Sequence, residues 1–336
     1  MSANPNPDFE VFYSGLKRFG LELVTLSDPG VQHYVALDYS VRALRQIQKR
    51  VPRANRLLVA FEPNAVRPVQ YLKRTRNKFG FTHVLSPLQI FSQNEGVLTL
   101  GPFVNYEQIL EAIPTPLKNR SDAIAVLNEH KFSFVARNNY KLRVETIKSL
   151  LKLGFEVDLG GKNWDQNWLW SLLEQLKTLV SNLKEGAKID LGNFHSGFKR
   201  PRQGLRLFGR VSDGVKFLEG HKVALVIEND CSYLSEKLLH AIQAGCLPIY
   251  VGPALQLFSI PPDVAVVCQA DPAAIANTVK SLPFEQIAQI VECGQRWLRD
   301  QKVVFDWSRD RTMNVLAEAV FKFAVNHEIS ADKSNG

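Results

Sequence analysis

The chain has 336 residues, 45% of them hydrophobic and 22% charged, which permits two ordinary α/β domains and argues against a disordered or fibrous protein. A formal net charge of +8 suits a polyanionic partner: a nucleic acid, an anionic membrane surface or a diphosphate-bearing substrate. The apolar runs fall short of the ~18–20 residues needed to span a bilayer, and MSANPNPDFE does not read as a signal peptide, so a cytoplasmic protein is expected. Cys231, Cys246, Cys268 and Cys293 follow no metal-ligand spacing and read as reduced thiols.

Residues 1–30 begin polar and Pro-rich and then offer a strand at Gly20–Leu26. His33–Leu37 is a second strand, and Tyr39–Val51 has helical apolar spacing. Arg56–Phe61 is a strand ending on Glu62-Pro63, Val69–Lys78 a helix and Thr82–Ser86 another strand. Strands alternating with helices imply parallel βαβ units. Eleven Lys/Arg lie between Arg42 and Lys78, with Glu62 the lone carboxylate among them, so positive charge favours its ionised form. Gly101–Ala123 is irregular apart from a short helix at Tyr106–Ala112 and reads as a linker.

A second α/β pattern follows. Lys131–Ala136 reads as a strand, Arg143–Leu153 as a helix closed by Gly154, and Phe155–Leu159 as a strand ending at Gly160-Gly161. Asn163–Lys184 holds a Trp/Leu-rich helix, Gly192–Gly209 reads as a basic loop, and Lys199, Arg200, Arg202, Arg206 and Arg210 form a second basic cluster. Ser212–Gly220 is a short helix capped by Ser212 or Asp213. Lys222–Ile227, Ser235–Ala244 and Leu247–Val251 form one strand–helix–strand unit, with Gly245 at the helix end and Gly252-Pro253 after the second strand. Val264–Gln269 is a last strand, and Pro272–Ser281, Phe284–Gln301 and Arg309–Val325 are helices before a polar tail. The pattern gives two Rossmann-like domains, without the Gly-x-Gly-x-x-Gly of a dinucleotide-dependent dehydrogenase.

Polar residues crowd into the loop and first helical turn at 228–237. In open α/β sheets, ligands bind outside the carboxyl ends of strands, so this loop is a candidate binding site. Lys237 near a helix start opposes the helix dipole unless an anion sits there too. Glu236 can accept hydrogen bonds from sugar hydroxyls. A strand that ends in a polar loop and leads to Arg143 on a helix is a second place for a phosphate, which a planar guanidinium can hold through two oxygens.

The segment Ile227-Glu228-Asn229, Tyr233-Leu234-Ser235-Glu236-Lys237, Ala244-Gly245, Pro248 and Gly252-Pro253 resembles the C-terminal signature of the family 10 glycosyltransferases, the α1,3/1,4-fucosyltransferases. FSFVARNNYKLRVETIKSL is similar to that family's strand and helix carrying a diphosphate-contacting Arg, here Arg143, and RLLVAFEPN to the segment carrying its proposed catalytic base, here Glu62. One departure is the shortened loop, three residues between Asn229 and Tyr233. The resemblance covers roughly residues 56–255.

It implies the α/β GT-B fold, two Rossmann-like domains facing an interdomain cleft. The expected division is an acceptor domain at 1–125, a nucleotide-sugar domain at 126–310, and a C-terminal helix and tail at 311–336 packing back on the first domain. The implied reaction moves fucose from GDP-fucose to a glycan hydroxyl, GlcNAc-containing or lipid-linked, with Glu62 as general base. Arg143 and Lys237 would stabilise the departing GDP, Glu228 and Asn229 would shape the sugar pocket, and Tyr233 and Glu236 would bind the donor. This site requires no divalent metal and no tightly bound cofactor. The basic window at 42–78 would then touch an anionic membrane from the cytoplasmic side. A GT-B enzyme with another nucleotide sugar is the nearest alternative. A basic nucleic-acid-binding protein lacks the aromatic platforms and motifs it would need.

Overall fold

The computed structural model describes residues 10–24, 28–37, 50–60, 62, 65–66, 68–71, 77, 80–81, 83–86, 97–99, 116–184, 187–195 and 203–332. The chain divides into two compact units, Met1–Phe103 with Phe305–Gly336, and Val104–Val304.

The first unit holds a parallel four-stranded sheet in the order β1 (Tyr34–Leu37), β2 (Arg56–Val59), β3 (His83–Ser86), β4 (Val97–Thr99). β2 is buried on both faces, as a central parallel strand must be. Its alternate residues feed two cores. Leu57 and Val59 pack with Phe12 and Leu16 of α1 (Glu10–Arg18) and with Met313, Leu316, Val320 and Phe323 of α9 (Arg309–Asp332). Leu58 and Ala60 pack with Ala36, Val51 and Phe81.

The second unit holds a six-stranded sheet in the order β10 (Val266–Val267), β9 (Leu247–Val251), β8 (His221–Ile227), β5 (Ser121–Leu127), β6 (Val157–Gly160), β7 (Leu205–Gly209), parallel throughout. Counted along this unit, the order is that of a doubly wound sheet, reversing between β5 and β8. Its helices are α2 (Tyr140–Lys152), α3 (Trp168–Lys184), α4 (Gly214–Glu219), α5 (Lys237–Gln243), α6 (Pro272–Ser281) and α7 (Phe284–Leu298), followed by α8 (Gln301–Asp306) at the boundary. One face packs Ile124, Val126, Val157, Val223, Leu225 and Ile249 against Val144, Ile147 and Leu150 of α2 and Ile275 and Val279 of α6. The buried Arg120 donates to the carbonyls of Ala244 (2.8 Å) and Gly245 (2.7 Å), placing a cation at the carbonyl end of α5.

Several elements differ from the sequence expectation. The first strand of the second sheet is Ser121–Leu127, starting within the last residues of the expected linker, and not Lys131–Ala136. The apolar character of 131–136 has another cause. Phe134 and Val135 are buried in a loop, where Val135 bridges Ile189, Asp190 N donates to Phe134 O, and Phe134 N donates to the Asn182 side chain. β7 replaces part of the expected basic loop; it is an edge strand, mostly exposed, so its apolar residues lack a buried pattern. α1 lies within the first thirty residues, where no helix was expected, Leu21–Val24 is not strand, and α9 runs on to Asp332 through the expected tail. The expected helices at 39–51 and 106–112 lie, almost wholly or wholly, outside the described residues.

Candidate functional site

The site is built on the strand ends of the second unit. β8 ends at Ile227, and the next residue, Glu228, is fully buried. Its carboxylate accepts from Ser235 N (3.0 Å) and Ser235 Oγ (2.7 Å), and Lys237 Nζ lies 3.9 Å from it. Lys237 Nζ also donates to Ser235 Oγ at 2.9 Å. Glu228 thus clamps the loop so that α5 begins at Lys237, and Gly245, in the left-handed region at φ 68°, follows the far end of that helix. Burial pushes the Glu228 carboxyl above the usual carboxylate range, with Lys237 and the two Ser235 donors opposing it.

Arg143 sits in the first turn of α2 and is 2% exposed. Its Nη2 donates to Ile227 O at 2.8 Å and to Asn229 Oδ1 at 3.4 Å, and the guanidinium lies 5.3 Å from the Tyr140 ring centre. Burial lowers its pKa, while Tyr140 and Glu228 oppose that shift. The short loop after Asn229 is pinned in place. Asn139 N donates to Asn229 O at 2.9 Å, Asp230 bridges Asn138, and the Asp230 carboxylate accepts from Ser232 N and Oγ. Tyr233 is half-buried in the same loop.

Beside this group opens a pocket of about 360 Å³. It spans the residues after four strands: Asn128 and Glu129 after β5, Gly161 and Lys162 after β6, Arg210 and Val211 after β7, and Glu236, Lys237 and His240 after β8. That is the switch point of the doubly wound sheet, where such folds bind ligands. Three cations line it, Lys162, Arg210 and Lys237, against Glu129 and Glu236. Glu129 is already engaged by Lys131 at 2.9 Å and Lys162 at 3.8 Å. Burial opposes ionisation of Glu236, but Lys237, the local backbone and His240 hold its carboxyl below the usual range. Burial likewise pushes the His240 imidazole down.

The pocket wall is tightly made at Gly161. At φ 132° this residue lies in a region that L side chains rarely adopt, and an added Cβ would lie 2.0 Å from Asn128 O. Asn128 N donates to Gly160 O (2.9 Å) and His130 N to Lys162 O (2.9 Å), lacing the two loops together.

Of the residues singled out in the sequence, Glu236 and Lys237 line the pocket. The buried Arg143 and Glu228 and the half-buried Asn229 form the group behind Lys237, joined by the contacts above. Glu62 belongs to the first unit, exposed after β2, its carbonyl accepting from Gln70 Nε2 (2.9 Å) and the Tyr71 hydroxyl. In the basic window, Arg56 is not a surface charge. It is buried and donates from Nε and Nη2 to Val51 O. Most of that window, and Lys199, Arg200 and Arg202, lie outside the described residues. Of the second cluster, Arg206 is bound to Asp158 and Arg210 reaches the pocket. Sequence reasoning missed Asn128 and Glu129 because it misplaced the strand before them, and passed over Lys162 although the strand before it was found. Gly160-Gly161 after a strand was the available signal.

No protein-family model matches the sequence, and no curated protein matches it. Solved structures do. A glycosyltransferase from Rickettsia africae matches at 14% identity over 96% of this chain and 83% of its own, with a TM-score of 0.50. HepE of Anabaena, solved with UDP and glucose, matches at 11% identity over 85% of this chain and 77% of its own, with a TM-score of 0.53. An α,α-trehalose 6-phosphate synthase from Burkholderia multivorans matches at 11% identity over 96% of this chain and 84% of its own, with a TM-score of 0.52. The fold is the α/β GT-B fold.

Proposed function

We propose that this protein is a glycosyltransferase, moving a sugar from a nucleoside-diphosphate donor held in the pocket of the second unit to a glycan hydroxyl. The observation that carries this reading is the trio Lys162, Arg210 and Lys237 around a 360 Å³ pocket at the sheet's switch point. Three cations suit a diphosphate, and Glu236, held ionised, suits the hydroxyls of a ribose or sugar. As the donor bond breaks, negative charge grows on the departing diphosphate. Fixed cations are most effective against charge that develops in the transition state. Arg143, Glu228 and Asn229 support this wall from behind rather than touching the donor.

The donor we favour is GDP-fucose, on the Glu228-Asn229 and Tyr233-x-Ser235-Glu236-Lys237 pattern, with Glu62 as the base that takes the acceptor proton. General base catalysis of this kind is worth about 10²–10⁴-fold. A UDP-sugar is the second reading, favoured by the likeness to an Anabaena protein solved with UDP and glucose. The acceptor would be a glycan or lipid-linked glycan, and the basic window at 42–78 would meet an anionic membrane in a salt-sensitive way.

A thermal-shift panel of GDP, UDP and their sugars decides the donor: stabilisation by GDP over UDP is expected, and stabilisation by neither overturns the reading. Product detection by mass spectrometry with GDP-fucose and GlcNAc-containing acceptors then tests transfer. Glu62→Gln should abolish transfer while the nucleotide-induced shift persists.

A further inference from the structure

One polar side chain of the pocket has no part in the chemistry assigned so far. His240 lines the pocket, half-buried, one turn into α5. Its backbone N–H serves the helix, donating to Glu236 O at 2.9 Å, but neither ring nitrogen has a hydrogen-bond partner among the described residues. The ring is held neutral. Burial is the main cause of its lowered pKa, Lys237 adds to it, and Glu236 and Asp213 oppose it. A neutral imidazole offers one N–H donor and one lone pair, and no charge.

The ring stands on an apolar floor. A Cβ added to Gly214 would lie 2.6 Å from Leu127 Cδ2 and 3.8 Å from His240 Nδ1, and one added to Gly160 would lie 2.8 Å from Val211 Cγ2 and 3.0 Å from Leu127 Cδ1. Leu127, Gly160, Val211, Gly214 and His240 are therefore neighbours in one contiguous surface, and all five line the pocket. Two of the three pocket cations are drawn elsewhere, Lys237 Nζ to Ser235 Oγ at 2.9 Å and Lys162 Nζ to Glu129 Oε1 at 3.8 Å. The third, Arg210, adjoins Val211 in the chain.

A nucleoside diphosphate carries its diphosphate, ribose and base in that order, and the wall made by α5 presents matching groups in sequence. The Lys237 ammonium turns back against Ser235, ahead of the helix. Glu236 stands at the helix start, where its carboxylate suits ribose hydroxyls. His240 follows about 6 Å further along the axis, on the apolar floor. Sites that read a base hydrogen-bond its edge and pack apolar or aromatic groups on its face. Leu127 and Val211 supply the apolar contact, and a neutral imidazole supplies the hydrogen bond without competing for the diphosphate.

We propose that His240 is the residue that reads the nucleobase of the donor, through a hydrogen bond between a ring nitrogen and the base edge. The inference rests on the sugar-transfer reading for the class of ligand and adds to it the place of the base and a specificity-determining side chain.

The test is calorimetry of the full-length chain with GDP, UDP and inorganic pyrophosphate, the last titrated to millimolar concentration. His240→Ala removes the ring, and His240→Phe keeps a ring without nitrogens. Each should weaken the better-bound of GDP and UDP at least about fivefold and leave the response to pyrophosphate within about twofold of wild type. His240→Gln, which keeps a donor and an acceptor, should recover part of the loss. The ring bonds no described residue, so all three variants should keep the wild-type circular dichroism, and the losses are then read on folded protein. Equal losses for nucleotide and pyrophosphate would make His240 a phosphate contact, and unchanged nucleotide affinity in His240→Ala and His240→Phe would take it out of the site. Either result overturns the proposal while wild type still binds nucleotide, so the sugar-transfer reading survives. A wild type that binds neither GDP nor UDP overturns that reading, and this inference with it.

Discussion

Acidification should weaken the second unit, and most through one imidazole. His130 closes the loop that carries Asn128 and Glu129 along the pocket. Its Nδ1 faces Asn163 O at 3.1 Å, so Nδ1 carries the proton of the neutral ring. The ring stacks on Trp164, with centroids 4.8 Å apart and planes 11° apart, and lies 5.9 Å from His195. Nε2 is buried with no hydrogen-bond partner among the described residues. A second proton would therefore create a cation with no acceptor. Burial is the main cause, with His195, Arg143 and Lys148 adding repulsion, and together they outweigh the Asn163 carbonyl and lower the pKa from 6.5 to about 4. Because the folded-state value is the lower one, the unfolded chain takes up the proton first as pH falls. Stability is intact above about pH 6.5 and is lost progressively down to about pH 4. At about 1.4 kcal/mol for each tenfold difference in proton affinity between the folded and unfolded chain, the loss is capped at about 3.4 kcal/mol and reaches about 2 kcal/mol at pH 5. His195, faced by Lys148, Glu145 and Lys141, shifts in the same direction and adds to the effect. The assay is urea unfolding at about pH 7.5 and 5, followed by tryptophan fluorescence. Four of the five tryptophans, Trp164, Trp168, Trp170 and Trp297, lie in the second unit, so the signal reports mainly on it. His130→Asn retains a donor for Asn163 O but cannot titrate, and its stability should fall less than wild type by about 2 kcal/mol over that interval. Parallel pH dependences in the two proteins would refute the reasoning, whatever their absolute stabilities.

Asp158→Asn should weaken the sheet edge. The carboxylate takes Arg206 through Nε (2.6 Å) and Nη2 (2.8 Å) and His221 Nε2 at 2.9 Å, joining β6, β7 and β8. Arg206 is half-exposed and can return to water, so the expected loss is that of hydrogen bonds, about 1–3 kcal/mol by urea midpoint. A change below about 0.5 kcal/mol would mean the network is ornamental. Gly161→Ala meets both an unfavourable φ and the Asn128 carbonyl. A cost of about 1–3 kcal/mol and weaker nucleotide binding are expected, and an unchanged melting temperature would contradict the geometry. Lys237→Met removes a pocket cation and leaves Glu228 without its nearby charge. Nucleoside-diphosphate affinity should fall at least about tenfold by calorimetry, and equal affinity would remove Lys237 from the donor site.

The parts of this fold that were legible in the sequence are those where pattern and burial agree. Leu247–Val251 and Pro272–Ser281 were readable to the residue, the first as a strand buried on both faces and the second as a helix with Asp271 capping and Pro272 opening it. Misreadings occur where an apolar run serves a different purpose. Phe134 and Val135 look like strand core, but they are buried beneath a loop, whereas the true strand begins on polar Ser121 and Asp122. β7 was hidden because an edge strand with its side chains in solvent has no reason to show a buried pattern. α3 was found, but its direction was not. Leucine at helical spacing signals an apolar face, and only the structure shows that this face is turned away from its own domain.

The candidate site divides along a similar line. A motif marks residues, but not whether they meet a ligand or hold what does. Glu228 and Arg143 read as binding groups, being a carboxylate and a guanidinium at strand and helix ends. In the folded chain both are fully buried, and their contacts lead to the backbone of β8, to the Tyr140 ring, to Asn229, or to Ser235 and Lys237. Burying a carboxylate is costly unless it is paired and hydrogen-bonded, and Glu228 has two donors and a nearby cation. Its physical effect is to hold Ser235 and Lys237 in one arrangement before any ligand arrives. A cation fixed in this way needs little reorganisation when charge appears beside it, which is what distinguishes a catalytic electrostatic site from a merely basic surface. The shortened loop is compatible with that role because Asn229 is anchored by Arg143 and by the Asn139 amide, so three intervening residues are enough to bring the chain to Tyr233.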